Sequence, residues 1–367
     1  MRTIKTVTIY SVGLLGGSIG AALKLTGFSG TIIGLSSPAS IATAIAGGSI
    51  DEGFGYTDLA HVLPRTDLLI LCSPINAIKE TIAKLATLTL PEGLIITDVG
   101  STKYEITKVA KVLPGHVHFI GGHPMAGSEK HGAAFADPYL FQNAMYVLTP
   151  QQVTPSALEH ELALFLSHHL GCRHIFLNPH KHDTIVAMVS HVPHLLAVAL
   201  MNCAQDINDE VGDTLALAAG GFRDMTRIAS SPYSLWNDIL STNTDAVVNI
   251  IDRYSSKLAT IKQHLLSGNL EQNFNAAAAS RNQIASSGKG FIHPLFEVLV
   301  RVPDQSGAIA RMATMLATAS INIKDIEVLK VREGDGGTIR LAFESKAIAQ
   351  TAAALLNQNN FTARERD

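Results

Sequence analysis

Three segments of this chain carry side chains able to move protons and hold small anions. The first is Asp98-Val99-Gly100-Ser101-Thr102-Lys103, and the second is Gly121-Gly122-His123-Pro124-Met125-Ala126-Gly127-Ser128-Glu129. Both follow short apolar runs, so they are expected at the carboxyl ends of strands, where open α/β sheets bind ligands. A histidine in a Gly/Pro-rich loop there is off any apolar face, and position favours catalysis over a core role. The third segment is Ser190-His191-Val192-Pro193-His194, with Gly220-Gly221-Phe222-Arg223-Asp224-Met225-Thr226-Arg227 downstream. Two histidines three apart suggest metal ligands. Pro193 between them, and the lack of a clustered acid or cysteine, argue against zinc. Arg223 and Arg227 could form a solvated helix face, yet Gly-Gly beside two arginines and an aspartate is an odd way to begin one.

Alternating elements must position these groups. Thr6–Tyr10 reads as a strand, followed by a Gly-rich turn and a helix to about Leu25. Further strands are expected at Thr31–Leu35, Asp67–Cys72, Gly93–Asp98, Val117–Ile120 and Ala144–Leu148. Helical stretches at Pro38–Ala46, up to about Leu85, and at Lys103–Leu113 separate the earlier ones. Such alternation implies a parallel sheet with crossover helices. From about Pro155 to Ser286 the texture becomes helical, with Asp183–Asp206, Thr244–Leu266 and Leu270–Ile284 as long stretches and Arg173–Phe176 as one short strand candidate. Its apolar content exceeds what one small bundle needs, so part of it should face a second copy. After a Ser-Ser-Gly-Lys-Gly linker comes a compact βαββα pattern. Its strands are expected at Leu295–Val302, Ile321–Val331 and Thr338–Phe343, and its helices at Ala308–Ala317 and Ala347–Leu356. The expected domains are residues 1–152, 153–287 and 291–367.

The turn after the first strand is Ser11-Val12-Gly13-Leu14-Leu15-Gly16-Gly17, close to a dinucleotide fingerprint. Gly13 would let the backbone approach a pyrophosphate, and the helix opened by Leu14 and Leu15 would present free N–H groups to it. Gly16 would allow that helix to pack closely on the sheet. Ser11 stands where the pattern has its first glycine. At the end of the second strand Ser36 stands where an acid would select NAD, and no arginine follows to grip a 2′-phosphate, so NAD and NADP both stay open.

With 367 residues, 47% of them hydrophobic and 16% charged, the chain can build two or three cores. A net charge of −3 without any basic run makes nucleic acid and anionic membranes poor partners. Any anionic substrate must be held by a few placed cations. Three separated cysteines (Cys72, Cys172, Cys203) argue against a disulfide framework and for a reducing compartment. No apolar run looks long enough to span a bilayer, so a cytoplasmic protein is expected.

The motifs DxGSxK, HPMAGSE, SHxPH and GGFRDxTR, in this order and spacing, resemble the prephenate/arogenate dehydrogenase family from the N-terminus to about residue 285. The last unit, with Val302-Pro303-Asp304-Gln305-Ser306-Gly307 and Ile321-Asn322-Ile323, resembles an ACT domain, a module that commonly senses amino acids. The resemblance implies a Rossmann-type α/β domain, an all-α dimerisation domain and a small α+β regulatory domain. It implies oxidative decarboxylation of prephenate or arogenate with NAD or NADP. His123 would be the base, and Ser101 would orient it and touch the nicotinamide. Arg227 would bind the ring carboxylate, Ser190, His194 and Gly220 would line the substrate, Asp224 would hold Arg or His, and Glu129 would gate the pocket. Ser11, Gly13, Leu14, Leu15, Gly16, Ser36 and Ser73 would hold the dinucleotide. Asp304, Gly307 and Asn322 would serve a tyrosine or phenylalanine effector. Two rivals remain at this stage. A β-hydroxyacid-type dehydrogenase would typically use a lysine where Ser190, His191 and His194 stand. A binding protein with a degenerate cofactor fold would not need Ser101, His123 and Arg227.

Overall fold

The computed structural model describes residues 4–127, 130–283, 295–303, 305–332 and 336–366. The chain forms two compact units, Met1–His264 and Leu265–Asp367. In the first, eight strands form one sheet: β1 (Thr6–Tyr10), β2 (Thr31–Leu35), β3 (Glu52–Phe54), β4 (Leu68–Leu71), β5 (Ile95–Asp98), β6 (His118–Pro124), β7 (Met145–Thr149) and β8 (Arg173–Phe176). Their order is β3-β2-β1-β4-β5-β6-β7-β8, so the winding direction reverses between β1 and β4. A crevice at such a reversal is where doubly wound sheets take dinucleotides.

Helices α1 (Leu14–Leu25), α2 (Pro38–Ala46), α3 (Leu59–Val62), α4 (Ile75–Leu85), α5 (Tyr104–Val109) and α6 (Ala157–Leu170) serve this sheet. Consecutive residues of a strand face opposite sides, and the apolar runs therefore supply two cores. Val7, Ile9 and Ile32 join Ile19 and Leu23 of α1 and Leu162 and Leu166 of α6 in one. Ile33, Leu69 and Leu71 join Ile78 and Ile82 of α4 and Ile106 of α5 in the other.

The sheet departs from the expected all-parallel form. β6 and β7 run antiparallel, with His123 opposite Val147 and Pro124 opposite Tyr146. This pairing extends β6, so His123 lies in a strand and not in the loop expected for it. Arg173–Phe176, expected inside the helical block, pairs with β7 and closes the sheet as β8. The helical segment expected over Lys103–Leu113 is shorter: α5 ends at Val109 and a single 3-10 turn follows.

The helical block runs through α7 (Pro179–Val186), α8 (Val192–Val211), α9 (Gly220–Thr226), α10 (Tyr233–Thr242) and α11 (Thr244–Leu266). Between α7 and α8, Ala187–His191 forms a π turn in place of the expected continuous helix. Pro193 lacks an N–H and its ring would collide with the carbonyl four residues back, and a widened turn relieves both. The whole stretch Pro179–Val211 is long and apolar enough to cross a membrane by length and composition, contrary to expectation. Its buried polar groups, His182, Asp183, His191 and His194, instead mark it as packed against protein.

The second unit holds α12 (Glu271–Arg281), then β9 (Phe296–Val302), α13 (Ala308–Thr318), β10 (Asp325–Arg332), β11 (Gly336–Phe343), α14 (Lys346–Gln358) and β12 (Thr362–Glu365). The order β10-β11-β9-β12 adds a fourth strand to the three expected. Thr362–Glu365 is mostly polar and takes its strand form from antiparallel pairing with β9. Val298, Val300, Leu341 and Phe343 pack against Met312 and Leu316 of α13 and Ala352 and Leu356 of α14.

Candidate active site

The dinucleotide turn follows β1 at the edge where β2, β4, β5 and β6 also end, since β1 to β6 pair in parallel. Ser11 adopts φ 75°, the left-handed conformation that the fingerprint reserves for glycine. A Cβ at Gly16 would meet the Ser11 carbonyl at 2.5 Å and Ile9 Cγ2 at 2.8 Å, so only glycine lets α1 lie this close to the sheet. At Gly13 a Cβ would meet nothing within 4 Å, and α1 carries no side-chain cap. That leaves an open cradle of backbone N–H groups at the positive end of a helix, a fit for a pyrophosphate.

Ser36 is buried at the end of β2. Tyr56 links it to the turn, its hydroxyl lying 3.4 Å from Ser36 Oγ and 3.4 Å from Ser11 Oγ. Neutral hydroxyls thus stand at the place of the missing acid. Ser73, just beyond β4, has a buried Oγ with no hydrogen-bond partner among the described residues. An orphaned polar atom at this edge suits a bound polar group. These residues fit a nicotinamide dinucleotide.

The first two candidate segments are joined through Asp98, which also forms a buried ion pair. Asp98 ends β5 and accepts hydrogen bonds from the Gly100 N–H at 2.8 Å and the Gly122 N–H at 3.1 Å. Its other partner is the Lys103 ammonium, and both side chains are wholly buried. Burial pulls Lys103 below the ordinary lysine range, and the Asp98 carboxylate opposes that pull. One carboxylate therefore ties the Ser101 loop to the strand bearing His123.

His123 itself is buried. Its Nδ1 lies 2.8 Å from His182 Nε2, and His182 Nδ1 lies 2.7 Å from Asp183 Oδ1. Burial first, then His182, Lys103 and His191, hold the His123 imidazole well below the usual histidine range. It is thus neutral at physiological pH. His182 and Asp183 were not singled out in the sequence. A His-Asp pair in the first turns of an otherwise apolar helix was the available signal.

His194 is buried and stacked on Trp236, ring centroids 3.8 Å apart and 21° between planes. Trp236, the chain's single tryptophan, was also missed. His191 bonds Asn243 Nδ2 at 3.2 Å, and burial pulls its pKa down to about 4 against the opposing charge of Asp183. Ser190 is half-buried in the π turn, whereas Gly220, Asp224 and Arg227, on α9 and the turn after it, are exposed. Glu129 and Asp304 lie outside the described residues. Gly307 begins α13 at φ +82°, and Asn322 is exposed ahead of β10. Two further contacts dock the helical block on the sheet: Asn76 on Asp238 at 2.8 Å and Thr102 on Thr242 at 2.7 Å.

A family profile described as the nucleotide-binding domain of prephenate dehydrogenase matches residues 19–171. One described as its dimerisation domain matches residues 178–279. A Bacillus subtilis prephenate dehydrogenase is 33% identical over 345 residues, 93% of this chain and 92% of that protein. The chain belongs to the prephenate dehydrogenase family. Among solved structures, Aquifex aeolicus prephenate dehydrogenase in complex with hydroxyphenyl propionate and NAD+ is similar at TM-score 0.70 and 29% identity. It covers 77% of this chain and 99% of its own. Synechocystis arogenate dehydrogenase is similar at TM-score 0.66 and 28% identity, over 76% of this chain and 99% of its own. In this prephenate dehydrogenase family member, the first profile match begins after the Ser11 turn.

Proposed function

We propose that this chain oxidises prephenate to 4-hydroxyphenylpyruvate and CO2 with NAD or NADP, in the cytoplasm, as a homodimer. The nicotinamide supplies the hydride acceptor. Ser11, Gly13, Leu14, Leu15, Gly16, Ser36 and Ser73 hold the dinucleotide. His123 takes the hydroxyl proton as hydride leaves the carbinol carbon, and Ser101 orients the imidazole. Loss of CO2 from the resulting dienone gains aromaticity, which makes the reaction effectively irreversible. Arg227 pairs with the ring carboxylate through its planar fork. Ser190, His194, Gly220 and Asp224 complete the substrate side, and Glu129 closes it.

The observation that carries this reading is the buried, neutral imidazole of His123 at the strand-end edge that also carries the dinucleotide turn. Exposed apolar side chains on the helical block (Met188, Val189, Ile207, Val211 and Leu217) support a dimer contact there. The order β10-β11-β9-β12 with two helices supports the ACT-like reading of the last unit, in which Asp304, Gly307 and Asn322 serve an amino-acid effector such as tyrosine or phenylalanine.

The test is a four-way assay of prephenate and arogenate with NAD and NADP, following the reduced nicotinamide. Prephenate is expected to give the higher kcat/KM with at least one cofactor. A higher value for arogenate would transfer the reading to that substrate, and no reduced nicotinamide with either would overturn it.

A further inference from the structure

We propose that His182 and Asp183 are positioning residues that fix the reactive tautomer of His123, an inference resting on the reading of His123 as the base. The chain of hydrogen bonds leaves little choice about where protons sit. Asp183 Oδ1 accepts the Lys103 N–H at 2.7 Å, and Oδ2 accepts the Tyr104 N–H at 2.8 Å. A carboxylate so placed only accepts, so His182 Nδ1, 2.7 Å from Oδ1, must donate. A neutral imidazole carries one donor and one acceptor. With both rings neutral, His182 Nε2 bears a lone pair and His123 Nδ1, 2.8 Å away, donates to it. The remaining nitrogen, His123 Nε2, is left unprotonated.

That atom is the one a base needs. An imidazole with no partner interchanges its tautomers, and the Nε2–H form cannot take a proton at Nε2. The relay removes that form before substrate arrives. When the substrate O–H bond breaks, the proton forms Nε2–H on His123, while a bound nicotinamide would accept the hydride. The imidazolium that results points its Nδ1–H at the His182 lone pair, with the Asp183 carboxylate behind it. This is the logic of a Ser-His-Asp triad with a second imidazole inserted.

The relay is itself held rigidly. His182 and Asp183 are 1% and 3% exposed, too enclosed for water to substitute as a partner. The Asp183 carbonyl accepts Asn243 Nδ2 at 2.8 Å, which anchors the start of α7 to the end of α10. His123 comes from the sheet and its relay from the helical block. The reactive tautomer is thus set by the docking of one on the other. The titratable groups acting on His123 are His182, Lys103 and His191.

Two substitutions separate positioning from mere packing. His182→Leu keeps bulk but removes the acceptor; kcat should fall about 10²–10⁴-fold, the usual contribution of a general base. Substrate and cofactor KM should stay within about threefold. His182→Gln offers an amide oxygen to His123 Nδ1–H and an NH2 to Asp183, and should recover kcat to within about tenfold of the parent. Parental turnover in His182→Leu, or a His182→Gln enzyme as slow as His182→Leu, would overturn the proposal. Parental protein labelled with 15N-histidine settles it even if His182→Leu fails to fold. The signal missing from His123→Asn should be an Nδ1–H tautomer, and an Nε2–H tautomer contradicts the relay. If His123→Asn itself turns over normally, the base assignment fails instead, which is a separate outcome.

Discussion

Two polar regions face the proposed chemistry, and they are built in opposite ways. Around His123, Asp98, Lys103, His182, Asp183 and Asn243 are buried and joined by hydrogen bonds, side chain to side chain for Asp98–Lys103 and His182–Asp183 and through the backbone N–H of Lys103 and the carbonyl of Asp183 for the rest. On α9 and the turn after it, Asp224 and Arg227 are exposed. A buried network fixes geometry, because each of its members becomes costly once its partner is gone. An exposed position is open to solvent and so suits capture of an anion arriving from water. Substitution should therefore separate the two: stability and turnover change together in the first, and only KM in the second.

The sharpest way to break this comparison is Lys103→Met. It leaves Asp98 buried without its cation, and loss of one partner of a buried pair costs about 3–5 kcal/mol. The urea midpoint should drop accordingly, with little folded protein left at physiological temperature. An unchanged midpoint would mean that the pair is not structural. The contrasting change is Arg227→Ala. A charge-assisted hydrogen bond of about 1.5–3 kcal/mol corresponds to a rise in substrate KM of about 10–100-fold, with kcat/KM for substrate lowered and the urea midpoint unmoved. Parental KM would make Arg227 a surface residue without a role. The smallest effect is expected for Ser11→Gly. Release from the left-handed conformation stabilises by about 1–2 kcal/mol, and the greater freedom of glycine in the unfolded chain takes back about 0.4–1 kcal/mol. The net gain should be about 0–1.6 kcal/mol by urea unfolding, and a loss of stability would show that Ser11 Oγ contributes more than its backbone costs.

The two regions were not equally legible in the sequence. The strands that carry the catalytic loops stood out because they are short, wholly apolar runs such as Leu68–Leu71, and their two-sided burial explains the pattern. His123, Ser101 and the dinucleotide turn were singled out for that reason. Two small strands were invisible locally. Glu52–Phe54 has three residues and no alternation, and Thr362–Glu365 is polar, so each owes its form to a neighbour. The antiparallel β6–β7 step likewise depends on tertiary pairing, which placed His123 in a strand. The relay was missed because His180-Lys181-His182-Asp183 reads as a polar helix start. Only the fold shows that His182 and Asp183 turn inward while His180 and Lys181 stay at the surface or nearly so.

The pH dependence follows from the same burial. The folded His123 holds its proton less tightly than an ordinary histidine, and the base must be neutral to act. The acid limb of kcat/KM should therefore lie below about pH 6.5, the unperturbed histidine value. Activity is lost as pH falls through the depressed pKa and is flat across neutrality. Stability has the same sign. The unfolded chain gains the proton first, so stability declines as pH drops below that value.

The most direct measurement is the turnover of His123→Asn, read beside its cofactor affinity and melting temperature. With the cofactor affinity and folding of the parent, the variant should lose about 10²–10⁴ in kcat, the contribution of a general base. Near-parental turnover in a folded, cofactor-binding variant would remove the imidazole from the chemistry.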